Sequence, residues 1–259
     1  MNSSSAPLEV SFRIRRSRPG IASHFDLFRI AINPDGKVLD GLDAIWATQD
    51  HGVMFRRACH HSSCGACAMR INGKERLACI TPVAVALQEH DPVVVEPLNN
   101  LPIVADLVVD VAGFFARMTA SDMVITRRGE DVLPVSVDPL PPKVESVAVH
   151  PLEGAASVSR FESCIECGIC VSACPSMAAD DGFLGPAALA AIHRTRQATG
   201  DGEEARRLLA LADGEGGVWR CHSSFECSAT CPQGVDPAAQ IMDLRRQILS
   251  LRLKSLGRR

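Results

Sequence analysis

The chain has 259 residues, 46% of them apolar and 22% charged, with a formal net charge of −3. That balance is ordinary for a globular protein, allows one large domain or two of usual size, and offers no general attraction to nucleic acid. The outlier is cysteine, with 11 residues confined to three tight groups at 59–79, 164–174 and 221–231. Met1 to Pro7 is polar and shows no apolar stretch, so no secretory signal is expected. In a reducing interior, an odd count of crowded thiols points to metal rather than disulfides.

In chain order, the alternation in Leu8–Arg15 and Phe25–Ile32, parted by Arg18-Pro19-Gly20 and closed by Asn33-Pro34-Asp35-Gly36, predicts a β-hairpin. Val38–Gln49 predicts a short helix. Met69–Ile71 and Arg76–Cys79, joined through Asn72-Gly73, predict a compact second hairpin, and Val93–Glu96 a further strand. Leu101–Met118 is the longest apolar run, but Asp106, Asp110 and Arg117 would be costly in lipid, and its spacing predicts an amphipathic helix rather than a membrane span. Five prolines between Thr119 and Ser159 predict a connector. Beyond it Pro186–Thr195, Glu203–Ala212 and Pro237–Leu256 predict helices, with Pro186 and Pro237 placed where a first turn tolerates proline. The chain thus divides at 1–118, 119–158 and 159–259.

Cys59-x4-Cys64-x2-Cys67, followed by Cys79, has the spacing of plant-type [2Fe–2S] ligation, with three thiolates from one loop and a fourth from a nearby strand. Ser62, Ser63, Gly65 and Ala66 are small and let backbone amides approach the cluster sulfides. A four-cysteine zinc site would call for two Cys-x2-Cys knuckles, and this group has one. A Rieske centre would need a Cys-x2-His to complement His60 and His61, and none exists, so both histidines are expected to be solvated. Cys164-x2-Cys167-x2-Cys170-x3-Cys174-Pro175 matches the bacterial ferredoxin run, and Cys221-x2-Ser224-x2-Cys227-x3-Cys231-Pro232 repeats it with serine at the second position. Fourth cysteines cross over when two clusters are present. The crossing gives Cys164, Cys167, Cys170 and Cys231 to a [4Fe–4S] cluster and leaves Cys174, Cys221 and Cys227 for a [3Fe–4S] cluster. Ser224 could complete a fourth corner only through oxygen, a hard donor and a poor substitute for thiolate.

These three groups in this order resemble the iron–sulfur subunit of the succinate dehydrogenase and fumarate reductase family. The likeness is carried also by Phe55-Arg56-Arg57-Ala58-Cys59, Met69-Arg70-Ile71-Asn72-Gly73-Lys74, Leu77 to Pro82, Leu101-Pro102 through Asp110, Gly185 to Ala188 and Gly217 to Cys221. The resemblance implies an α+β protein, in which a β-grasp [2Fe–2S] ferredoxin domain precedes an all-α ferredoxin domain with the other two clusters. It also implies electron flow between the FAD of a flavoprotein partner and a quinone at a membrane anchor, through [2Fe–2S], [4Fe–4S] and [3Fe–4S] in turn. The subunit would sit on the cytoplasmic side of the cell membrane, held through the anchor, with the dicarboxylate chemistry in the flavoprotein.

At the quinone end, many succinate dehydrogenases have a tryptophan soon after the Cys-Pro of the [3Fe–4S] ligand; here Pro175 is followed by Ser176-Met177-Ala178-Ala179. That tryptophan is missing, and the gap from Cys174 to Gly185-Pro186 and the stretch Val235 to Ala239 look more like fumarate reductase members, which commonly use menaquinone. His222 takes the place of a family histidine near the quinone or haem. The stretch Leu244–Arg259 carries Arg245, Arg246, Arg252, Lys254, Arg258 and Arg259 with no acidic residue, which reads either as a helix end complementing its dipole or as a surface for anionic lipid. The alternatives from other classes are a free-standing multi-cluster ferredoxin and a zinc protein.

Overall fold

The computed structural model describes residues 7–121, 163–199 and 202–256, so the expected connector at 119–158 lies almost wholly outside the described residues. The first half is built on a mixed sheet. Strands β1 (Leu8–Arg18) and β2 (Ile21–Ile32) pair antiparallel, and the period of two along β1 turns Val10, Phe12 and Ile14 inward. Helix α1 (Val38–Thr48) opens with the Asp40 carboxylate accepting the Lys37 backbone N–H at 2.8 Å and favouring the helix N-terminus electrostatically. It lays Leu39, Leu42 and Ile45 on the sheet. A Cβ at Gly41 would come within 2.4 Å of the Phe12 ring, so a glycine is what lets this helix approach so closely.

Strands β3 (Ala68–Ile71) and β4 (Lys74–Leu77) are joined through Asn72 and Gly73, both at positive φ, as a primed two-residue turn requires. Helix α2 (Val83–Glu89) leads to β5 (Val93–Glu96), which enters beside β1 in parallel. The resulting order β2-β1-β5-β3-β4, with α1 across one face, is a β-grasp arrangement. Leu101–Met118 is not one helix. It forms a small hairpin of β6 (Ile103–Ala105) and β7 (Val108–Val109), and helix α3 begins only at Ala112 (Ala112–Ala120). The cause is Asp106, fully buried at φ 48°, whose carboxylate accepts the backbone N–H groups of Ser17 and Met54 at 3.0 Å each and stands 3.2 Å from Arg16 Nε. A helix through this position would forfeit those bonds, leaving the two amides without the carboxylate and Arg16 with only Asp26 and Asp50 as its ion-pair partners.

The second half is helical: α4 (Ile169–Ser172), α5 (Pro175–Ala179), α6 (Pro186–Ala198), α7 (Glu203–Asp213), a 3-10 turn at Val218–Arg220, α8 (Glu226–Ala229) and α9 (Pro237–Leu256). The alanine-rich face of α6 packs on α9, which contributes Ile241, Leu244 and Ile248. Burial of each of these larger side chains is worth about 1.5–3 kcal/mol. His193 on α6 meets Asp243 on α9 at 2.9 Å, which gives its buried ring a polar partner across that seam.

The halves meet over the segment that carries Cys170 and Cys174. Asn100, at φ 59°, donates its side-chain amide to the carbonyls of Val171 (2.9 Å), Ser172 (3.0 Å) and Cys174 (3.0 Å). It thereby satisfies the free C-terminal carbonyls of α4. Ser172 Oγ accepts from the Asn99 N–H at 2.8 Å and donates to Glu75 at 3.0 Å.

Candidate metal centres

The 59–67 loop folds tightly because His60, Ser62 and Gly65 all take positive φ. The turned backbone aims the N–H groups of His61 and Ser63 at Cys59 Sγ, at 3.5 and 3.4 Å. These donors, the His61 amide first and the Ser63 hydroxyl next, draw the Cys59 thiol down to about 5. Cys79 follows β4 and lies beside Cys67, both buried. Burial pushes Cys67 up to about 12, and the nearby Cys79 and Cys64 thiols add to the cost of a bare charge there. His60 and His61 are exposed; His61 bonds the Cys59 carbonyl through Nδ1 and Ser63 Oγ at 3.1 Å through Nε2.

Cys164, Cys167, Cys170 and Cys231 line one cleft, walled by Phe114, Ile169, Ala187 and Val235. Cys231 reaches it from 61 residues beyond Cys170 in sequence. Burial raises Cys164, takes Cys167 to about 11 and lifts Cys170 well above the ordinary thiol value. The Val235 amide points at Cys231 Sγ, 3.4 Å away.

Cys174, Cys221 and Cys227 form the third group. Burial drives Cys227 to about 12, with Cys174 and Cys221 as its charged neighbours. Cys174 is raised as well, again by burial first. Ser224 is exposed at the rim, as are His222 and Pro175. The His222 N–H donates to Ser176 Oγ at 3.1 Å, and the Ser223 N–H points at Cys221 Sγ at 3.4 Å.

The donor chemistry of all three groups fits an iron–sulfur cluster. Each consists of soft sulfur alone, and most of the thiols are desolvated enough that a thiolate would be costly without a cation to take its charge. Backbone N–H groups face sulfur in every group, as anionic sulfur requires. Among the described residues no three His, Cys, Asp or Glu side chains close around the position of a single metal ion.

Sequence reasoning missed the residues that frame these groups from a distance. Arg245, expected in a basic surface stretch, points inward, donating to the Val218 carbonyl (2.7 Å), the Cys221 carbonyl and Ser223 Oγ (2.9 Å). Arg246 and Arg252 pair with Asp243 and Asp213, while Arg258 and Arg259 lie outside the described residues. Arg245, Arg246 and Arg252 are therefore engaged within the fold. Gln233, with its bond to the Ser62 carbonyl at 2.9 Å, carried no sequence signal.

Residues 11–116 match the model of a 2Fe-2S iron-sulfur cluster binding domain, and residues 160–235 that of a 4Fe-4S dicluster domain. The fumarate reductase iron-sulfur subunit of Mycobacterium tuberculosis is 35% identical over 95% of this chain and 96% of its own. A mitochondrial succinate dehydrogenase [ubiquinone] iron-sulfur subunit of Oryza sativa is 34% identical over 93% of this chain and 76% of its own. In overall fold the chain matches one from the Mycobacterium smegmatis Sdh1 complex in the apo form, with a TM-score of 0.76 at 22% identity over 95% of this chain and 97% of that one. The chain therefore belongs to the iron–sulfur subunit family of succinate dehydrogenases and fumarate reductases, as the electron-transfer subunit of an oxidoreductase complex of that class.

Proposed function

We propose that this subunit carries three clusters in series between the FAD of a flavoprotein partner and a quinone at a membrane anchor, with the thiols divided as Cys59, Cys64, Cys67 and Cys79 for [2Fe–2S]; Cys164, Cys167, Cys170 and Cys231 for [4Fe–4S]; and Cys174, Cys221 and Cys227 for [3Fe–4S]. The observation that carries this reading is the crossing of the last two runs: Cys231 lies in the cleft of the first run, and three thiols remain together with a serine at the fourth place. Bound there, the clusters supply one-electron carriage. The chain's own residues do the rest. Amides of His61, Ser63, Ser223 and Val235 stabilise negative sulfur, and apolar walls exclude water from the middle cleft.

The third group opens to the surface at Pro175, His222, Ser224 and Phe225, all exposed, and the quinone and the anchor are assigned to this face. Among the described residues no helix is long and apolar enough to cross a membrane. Attachment to the cytoplasmic side of the cell membrane is accordingly assigned to the anchor partner. Menaquinone and fumarate reduction are favoured by Ser176-Met177 after Pro175, where a tryptophan stands in many ubiquinone-linked relatives. The test is anaerobic purification of the complex with iron and sulfide analysis and EPR. One [2Fe–2S], one [4Fe–4S] and one [3Fe–4S] per chain are expected, with quinol-dependent fumarate reduction faster than succinate-dependent quinone reduction. Stoichiometric zinc in colourless protein would overturn the cluster reading, and a ratio favouring succinate oxidation would reverse the assigned direction.

A further inference from the structure

Resting on the assignment of successive clusters to the first two thiol groups, we propose that Gly65 is a positioning residue for electron transfer between them, because it allows one thiol loop to lie with its backbone against the other. Gly65 stands between Cys64 and Cys67, buried and at φ +69°. A Cβ there would fall 2.7 Å from Cys167 Cβ, 2.9 Å from Cys167 Cα and 2.9 Å from the Ile165 carbonyl oxygen. None of these is the far end of a flexible side chain. Any larger residue must move one loop away from the other, and it must also adopt a left-handed backbone conformation that side chains other than glycine disfavour. A residue of the first group's loop therefore touches a residue of the second group with no side chain between them.

Apolar packing, with Leu98 and Leu101 over Gly168, brings the two halves together but does not fill the space at this contact. A hollow open to solvent lies beside the contact, lined by Cys64, Ala66, Leu98, Val111, Phe115 and Glu166. Specific polar ties add to this packing at the loops themselves. Gln233, two residues beyond Cys231, donates to the Ser62 carbonyl within the first loop, and Asn100 holds the carbonyls that follow Cys170. Apart from the bond of Arg117 to the Asp181 carbonyl, the side-chain hydrogen bonds between the two halves among the described residues end within two positions of a cysteine. The polar seam is thus concentrated where the separation of the thiol groups is decided.

The step concerned is the passage of one electron from the reduced centre at Cys59, Cys64, Cys67 and Cys79 to the oxidised centre at Cys164, Cys167, Cys170 and Cys231. The first returns to its oxidised state, the second becomes reduced, and no bond forms or breaks. Tunnelling rate and magnetic coupling both fall steeply with separation, so both report the contact.

The experiment compares the intact complex carrying Gly65→Ala with the wild type. EPR of the fully reduced protein measures how strongly the second centre speeds the spin relaxation of the first, and rapid freezing after succinate addition times the reduction of each. Gly65→Ala is expected to keep both signals, lose most of the relaxation enhancement, and reduce the second centre severalfold more slowly than the first. Unchanged enhancement and timing with both centres present would overturn the proposal. Should Gly65→Ala cost the first centre altogether, Gln233→Ala decides, since it releases the same loop while leaving every thiol and glycine in place. A smaller loss of enhancement supports the role, and none overturns it. A wild type that lacks one of the two signals overturns the underlying cluster assignment instead.

Discussion

Residues 164–175 and 221–232 share one backbone pattern but sit in opposite surroundings. In each, the second and fourth residues after the leading cysteine take positive φ: Glu166 and Gly168 in the first run, Ser223 and Phe225 in the second. A four-residue helix then carries the cysteine at the third ligand position, Cys170 or Cys227, and each run ends in Cys-Pro. The first run is roofed by the β-grasp half, whose Leu98 and Leu101 lie over Gly168 and whose Gly65 lies against Cys167. The second run faces outward. Its equivalents of Cys167, Gly168 and the buried Ile169 are Ser224, Phe225 and Glu226, all exposed. The comparison teaches that spacing and backbone serve the thiols in both runs, whereas the residues between the cysteines follow whatever covers them.

The most severe way to break this parallel is to cut the crossing. Cys231→Ser removes a thiol that lies in the second run by sequence but in the first run's cleft by position. The expected outcome is loss of the [4Fe–4S] signal with the oxidised [3Fe–4S] EPR signal retained; loss of the three-iron signal alone would contradict it.

The next effect comes from giving the roofed run the residue of the open one. Gly168→Phe asks for a ring under Leu98 and Leu101, where even a Cβ would stand 3.5–3.6 Å from their methyl groups. With overpacking and the positive φ together, stability should fall by about 3 kcal/mol or more, read as a lowered unfolding midpoint of the assembled complex.

Restoring the missing thiol sharpens the comparison chemically with little change in stability. Ser224 is exposed, so Ser224→Cys meets no packing cost. It should convert [3Fe–4S] to [4Fe–4S], abolish the oxidised three-iron EPR signal, and impair quinone-linked turnover more than flavin reduction by succinate. A wild-type chain with full iron but no three-iron signal would instead make Ser224 a ligand.

The smallest effect belongs to Phe225, which is 49% exposed and strained at φ 63°. Phe225→Gly relieves that conformation while adding freedom to the unfolded chain, so a net gain of about 1 kcal/mol or less is expected from thermal unfolding of the isolated subunit. A clear loss would mean that the ring packs in a way its exposure does not suggest.

Much of this was legible from local pattern. Alternation gave the β1–β2 hairpin, Asn72-Gly73 gave the β3–β4 turn, and proline at the first helical position marked the starts of α6 and α9. Cysteine spacing alone suggested the division of the thiols that is proposed above for the three clusters. What escaped depends on partners far away in the chain. Leu101–Met118 has helical spacing, but Asp106 is claimed by amides 89 and 52 residues earlier, and that long-range demand overrides propensity. Helices α4 and α8 are single turns too short to display a period. Asn100, Gln233 and Arg245 are ordinary polar residues whose roles arise only from contacts across the fold.

Asp106 has a further consequence for how the protein is made. The amides of Ser17 and Met54 and the guanidinium of Arg16 leave the ribosome long before the carboxylate that answers them. All five strands of the main sheet are complete by Glu96, yet in a nascent chain halted there the Ser17 and Met54 amides would still lack their acceptor, and Arg16 would have Asp26 and Asp50 but not the fully buried Asp106. Synthesis must pass residue 106 before the first domain can close. A fragment cut after the last strand of the sheet, although it contains every cysteine of the first group, is expected to hold its iron poorly, and fragments meant to isolate that group should run through α3.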